Sequence, residues 1–186
     1  MQLHKPVMIC DGGGRQHISR RGDEASGVVV KRTSFSGDGC PIARALDVLG
    51  DWWSMLIIRD ALLGRRRFGE FQKSLGLAKN ILSTRLRMLV DEGILSTVPA
   101  SDGSAYLEYV LTEKGRGVFP ILVALRQWSE AFDPRPDQIA TIMVDRKTGE
   151  PVRTLELRAS DGRLLKLGDT ELKARPSTKR ARRSAA

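Results

Sequence analysis

The chain has 186 residues and 41% hydrophobic content, enough for one modest core with appendages but not for two full domains. It holds no run of eighteen apolar residues, and its N-terminus lacks the basic, apolar and small-residue order of a secretory signal, so a cytoplasmic protein is expected. The net charge of +9 points to a polyanionic partner, and its two cysteines, Cys10 and Cys40, supply neither a disulfide framework nor metal ligands.

The distribution of charge is more informative than its sum. From Asp38 to Asp133 basic and acidic side chains balance, twelve against twelve, yet Arg65–Arg87 carries seven basic residues against the single acid Glu70. A second basic cluster (Lys173, Arg175, Lys179, Arg180, Arg182 and Arg183) ends the chain. One concentrated positive segment in a neutral domain suggests a defined binding face.

Residues 1–37, with Asp11–Gly12–Gly13–Gly14 and no sustained period, read as disordered, and His4 and His17 fall there. Regular structure is expected from Cys40–Pro41, with Pro41 opening a helix whose Ile42, Ala45, Leu46 and Leu49 share an apolar face up to Gly50. Asp51 caps a second helix ending at Gly64, and a third spans about Phe68–Leu75 before Gly76. The fourth, about Lys79–Glu92, turns Leu82, Leu86 and Leu89 inward and stops at Gly93.

The period then changes. Ile94–Val98 and Tyr106–Leu111 read as two strands around a turn at Asp102–Gly103. Thr112 caps a long helix to about Phe132, interrupted by Pro120, with Val118, Ile121, Leu122, Leu125 and Trp128 as its seam. Beyond Asp133–Pro134–Arg135–Pro136, Ile139–Val144, Val152–Leu157 and Leu164–Leu167 read as short strands of a β-hairpin module within residues 134–169. Residues 170–186 read as a basic disordered tail.

The expected fold class is therefore mainly α with a small β-hairpin wing, a winged helix-turn-helix over residues 38–133. The major groove admits one α-helix and shows a distinct donor–acceptor code for each base pair, so the fourth helix is the candidate reader. Its outer face offers Lys79, Asn80, Ser83, Thr84 and Arg87, with Arg85 beside them. Arg65, Arg66 and Arg67 are candidates for phosphate positioning, as are Ser101 and Gly103 at the wing tip. Taken singly, each feature has a plainer reading: a charged outer helix face is usually solvated, and Asp–Gly turns occur in many hairpins. The combination, in this order, carries the argument.

The stretch Cys40–Pro41–Ile42–Ala43–Arg44–Ala45–Leu46–Asp47–Val48–Leu49–Gly50–Asp51–Trp52–Trp53 resembles the opening of the HxlR family of MarR-like regulators. So do Arg67–Phe68–Gly69–Glu70–Phe71, Leu82–Ser83–Thr84–Arg85–Leu86, Asp91–Glu92–Gly93–Ile94–Leu95, Tyr109–Val110–Leu111–Thr112 and Gly115. The resemblance implies a homodimeric regulator that represses or activates a nearby operon, with repression as the first expectation, and its twofold symmetry implies a pseudo-palindromic double-stranded operator. Terminal helices would form the dimer interface, through Leu46 and Leu49 at one end and Val118, Leu122, Leu125 and Trp128 at the other. It also makes Cys40 a candidate redox or electrophile sensor, since a thiol at a helix start has its thiolate stabilised by the dipole. The plainer reading is a packed thiol.

Trp52, Trp53 and Trp128 read as core, with a small-molecule effector between dimer helices as the other reading. Family-like sequence starts directly after Val28–Val29–Val30, so a natural start at one of these valines is an expectation.

Two other classes compete with this reading. An enzyme would need a nucleophile with its base, paired carboxylates or a metal cluster; the folded region has no histidine, so no catalytic site, cofactor or metal is expected. A winged helix used only for protein–protein contact would tend to lose the basic face retained here.

Overall fold

The structure, a computed structural model, describes residues 34, 35, 37–133 and 141–174. Most of the expected N-terminal disordered stretch, the suggested valine start and the end of the basic tail lie outside them. The chain divides into two units between Leu122 and Val123. In order, the helices are α1 (Pro41–Leu49), α2 (Trp52–Leu62), α3 (Phe68–Leu75) and α4 (Lys79–Asp91), then strands β1 (Leu95–Pro99) and β2 (Leu107–Leu111), then α5 (Glu113–Arg116) and α6 (Phe119–Phe132).

The first unit is organised by the three α4 leucines. Leu82, Leu86 and Leu89 are fully buried and meet Ile57 and Ile58 of α2, Phe71 of α3, Leu77, Ile94, Leu95 and Val118. Spacings of four and three put the leucines on one stripe of the helix. Asp51 caps α2, accepting from the Ser54 N–H at 3.0 Å. At the end of α4, Gly93 takes φ +65°, its N–H donates to the Val90 carbonyl, and the Ile94 N–H donates to the Leu89 carbonyl, each at 2.9 Å. That pairing closes the helix and turns the chain straight into β1.

β1 and β2 form a two-stranded antiparallel sheet in which Leu95 faces Leu111 and Pro99 faces Leu107. Thr112 locks its base: the hydroxyl donates to the Gly93 carbonyl at 2.6 Å and accepts from the Gly115 N–H at 3.1 Å. A Cβ at Gly115 would collide with the Ile94 carbonyl and the Leu111 side chain.

The single long helix expected after Thr112 is two helices. α5 ends at Gly117, and α6 begins two residues later with Pro120 in its first turn. A proline there forfeits no hydrogen bond, because first-turn N–H groups have no partner within a helix.

In the second unit the module after the Pro-rich stretch is less regular than its sequence pattern. Its described part holds two turns, each closed by an isolated bridge, Val144 to Pro151 and Arg158 to Leu164, and a 3-10 turn at Leu167–Asp169. Asp145 and Asp161 cap these turns, accepting from the Lys147 N–H at 2.6 Å and the Arg163 N–H at 2.9 Å. Gly149 and Gly162 supply the left-handed residues, at φ +75° and +85°. Such turns fold locally, so they hold although the expected strands shrink to single pairs. Gln127 of α6 ties the module down, donating to the Arg153 carbonyl at 3.0 Å and accepting from the Leu155 N–H at 2.9 Å.

Candidate nucleic-acid interface

With its leucines inward, α4 turns Lys79, Asn80, Ser83, Thr84 and Arg87 to solvent. The helix carries one acid, Asp91, at its far end. The Thr84 hydroxyl donates to the Asn80 carbonyl at 2.9 Å, which spends its proton and leaves oxygen lone pairs to accept. Ala78, at the N-cap, offers no side-chain acceptor, and the first turn holds no acid. In contrast with the starts of α2 and α5, the start of α4 keeps its N–H groups without a side-chain cap, as an anion-binding helix start requires.

The other basic candidates are differently placed. Arg85, two residues before Arg87, is half-buried and pairs with Asp51 at 3.0 Å, joining α4 to the start of α2. Arg65 lies 3.4 Å from the buried Asp60, which Arg59 also holds at 2.8 Å. Arg67 reaches the wing, 2.5 Å from Asp102 at the tip and 3.5 Å from Glu108 in β2, and Arg66 lies 3.7 Å from Glu108. The Tyr109 N–H donates to the Arg66 carbonyl at 2.8 Å, so this linker pairs with β2 as well. The arginine triplet is thus seated on carboxylates of its own chain.

Ser101 takes part in the same seat. Its N–H and hydroxyl donate to Glu108 at 3.3 and 3.0 Å. Gly103, at φ +75°, forms the open tip, with the Ser104 N–H donating to Asp102 at 3.0 Å. The ionisation of these groups follows. The Arg67 guanidinium and the Ser104 contacts hold the Asp102 carboxyl well below the usual range. Burial pushes Glu108 up, but hydrogen bonds from Ser101 and Arg67 outweigh it and leave it lowered. Glu70 is lowered by the Arg66 and Arg67 N–H groups, at 2.7 and 2.9 Å.

The sequence reading gives Asp51 only as a helix cap and Asp102 only as a turn residue and leaves out Asp60 and Glu108, yet all four engage these arginines. Glu108 had a signal, an acid set among Leu107, Tyr109, Val110 and Leu111, where an unpaired charge would be costly to bury.

Of the residues expected at a dimer interface, Leu46, Leu125 and Trp128 are exposed, while Leu49 and Leu122 pack partly on the core. Val118, at 4% exposure, is part of that core. Trp53 packs on the core, but Trp52 and Trp128 do not: Ser54, Ile57 and Ile58 set the inward side of α2 and leave Trp52 outside. Cys40 is the N-cap of α1, half-buried, its N–H donating to Asp38 at 2.7 Å. Among the described residues no helix is long and apolar enough to cross a membrane, and no His, Cys, Asp and Glu cluster has metal-binding geometry.

Helix, left-handed glycine turn, second helix and antiparallel hairpin, with a polar helix face opposite the core, define a winged helix-turn-helix. Residues 48–137 match the HxlR-like helix-turn-helix family. An uncharacterized HTH-type transcriptional regulator of Mycobacterium tuberculosis, Rv3095, is 42% identical over 110 residues, 59% of this chain and 70% of that protein. The chain belongs to the HxlR-like helix-turn-helix family. The crystal structure of PA1607, a candidate transcription factor, is 55% identical with a TM-score of 0.72, and the match covers 76% of this chain and 99% of that one. PA1374 from Pseudomonas aeruginosa, another candidate transcription factor, is 39% identical with a TM-score of 0.53, over 76% of this chain and 96% of that one.

Proposed function

We propose that this protein is a sequence-specific transcriptional repressor that binds a pseudo-palindromic operator as a homodimer. Each copy lays α4 in the major groove and sets the β1–β2 wing on the flanking backbone. One observation carries the reading: α4 is fully buried along Leu82, Leu86 and Leu89 and exposes Lys79, Asn80, Ser83, Thr84 and Arg87 together, with Asp91 at the end of the helix as its one acid. Asn80 and Ser83 supply further base-edge donors and acceptors, and the start of α4 a phosphate contact. Arg66, Arg67 and Ser101 fix the wing's placement, Arg65 is anchored on Asp60, Gly103 leaves the tip open for the backbone, and Arg85 holds the start of α2 against α4. Leu46, Leu125 and Trp128 meet the second copy.

The test is a gel shift on the DNA beside the protein's own gene, with wild type, Lys79→Ala and Arg87→Ala. Each substitution is expected to weaken specific binding by about 1–3 kcal/mol. Unchanged binding in both would remove α4 as the reader.

Cys40 enters as the candidate site of electrophile control. Diamide is expected to release wild type from the operator and to leave the Cys40→Ser variant bound; equal release of both would end that role.

A further inference from the structure

The module at residues 141–174 contains no buried residue; Met143, Ala159 and Leu165 are half-buried and every other position is exposed. It nevertheless holds large apolar side chains in the open, Leu157 at 63% and Leu167 at 86% exposure, with Ile142, Leu155 and Leu164 also exposed. A segment below about 40 residues usually needs a disulfide, a metal or association with another surface to hold a fold. Residues 141–174 contain no cysteine or histidine. Their hydrogen bonds to α6 are polar ties through Gln127 and through Arg126, which donates to the Thr141 carbonyl. Among the described residues of this chain nothing covers these apolar side chains, so their burial falls to a surface beyond those residues.

Two observations identify that surface. Along α6 the exposed large apolar residues include Ile121, Leu125, Trp128 and Phe132, at spacings of four, three and four. This is the seam with which a helix packs on another helix of the same pattern. Trp128 and Phe132 stand together on it, ring centroids 5.9 Å apart. The module's charges are also interspersed and nearly balanced, seven basic against six acidic. Such a surface neither attracts a polyanion nor repels its own copy.

We propose that residues 141–174 are a dimerisation arm, their exposed leucines covered by a second copy of this chain in an isologous contact continuous with the α6 seam. The proposal rests on the homodimer reading above and extends it to a segment that lies wholly beyond the family-matched residues.

The experiment is analytical ultracentrifugation of the full chain over a dilution series, wild type against the double variant Leu157→Glu/Leu167→Glu. Both side chains are exposed in the single chain, so circular dichroism should be unchanged. The variant dimer is expected to dissociate roughly a hundredfold more readily. A wild-type dimer with an unchanged dissociation constant in the variant overturns the arm and leaves the homodimer standing. A wild type that stays monomeric throughout overturns both. Hydrogen exchange on wild type decides independently of any variant: amides of 141–174 should gain protection with concentration, and concentration-independent exchange overturns the arm.

Discussion

Arg85 and Arg87 lie two positions apart on α4 and do different work. Arg85 is turned to Asp51 and Arg87 to solvent. Arg85→Ala is expected to cost about 1 kcal/mol of stability by thermal unfolding and to leave base preference intact. Arg87→Ala should do the reverse, changing stability by no more than about 0.5 kcal/mol while relaxing specificity in binding-site selection. Both variants behaving alike would contradict this division. Leu86, with no exposed surface, belongs to a third group: Leu86→Ala should cost about 2–5 kcal/mol in urea unfolding, the toll of a cavity beneath α4.

At the scale of the element, the wing is held by carboxylates whose protonation is linked to folding. Asp102, Glu108 and Glu70 all titrate below their ordinary values in the folded chain. Groups lowered in this way contribute stability that is present above the unfolded pKa, near 4, and lost as pH falls through the folded value. The melting temperature should therefore fall progressively below about pH 4, and Glu108→Gln should flatten that acid limb. An identical limb in the variant would place the acid sensitivity elsewhere. Pro120→Ala is a second check on an element: in the first turn of α6 it should change stability by no more than about 1 kcal/mol, whereas a mid-helix proline would give a gain of about 3 kcal/mol. The four main helices and the hairpin were legible because leucine spacing and the glycines at 64, 76 and 93 are local signals. The seating of the arginine triplet was not, because Arg67 and Glu108 lie 41 residues apart in sequence and only the wing's register brings them together. The break between α5 and α6 was missed because the apolar seam runs unbroken across it.

Across the whole molecule, the net charge of +9 does not sit where its sequence density suggests. Arg66 and Arg67 are offset by Asp102 and Glu108, so the wing seat approaches neutrality, and salt-dependent affinity should trace chiefly to α4 and the basic end of the chain. Lys79→Ala is expected to reduce the slope of log K against log salt by about 1. The module after α6 was legible only as turns, because its glycines and aspartates act locally while its leucines stay exposed among the described residues. The two-sided construction of α4 bears on how such proteins diversify. Its buried stripe and its exposed stripe share no residue, so exchanges at 79, 80, 83 and 87 leave the fold's stability almost untouched and, if α4 reads DNA as proposed, change the DNA address. A gene duplicate can therefore drift to a new operator in single steps through folded intermediates, with Arg85 and Asp51 constrained to change together.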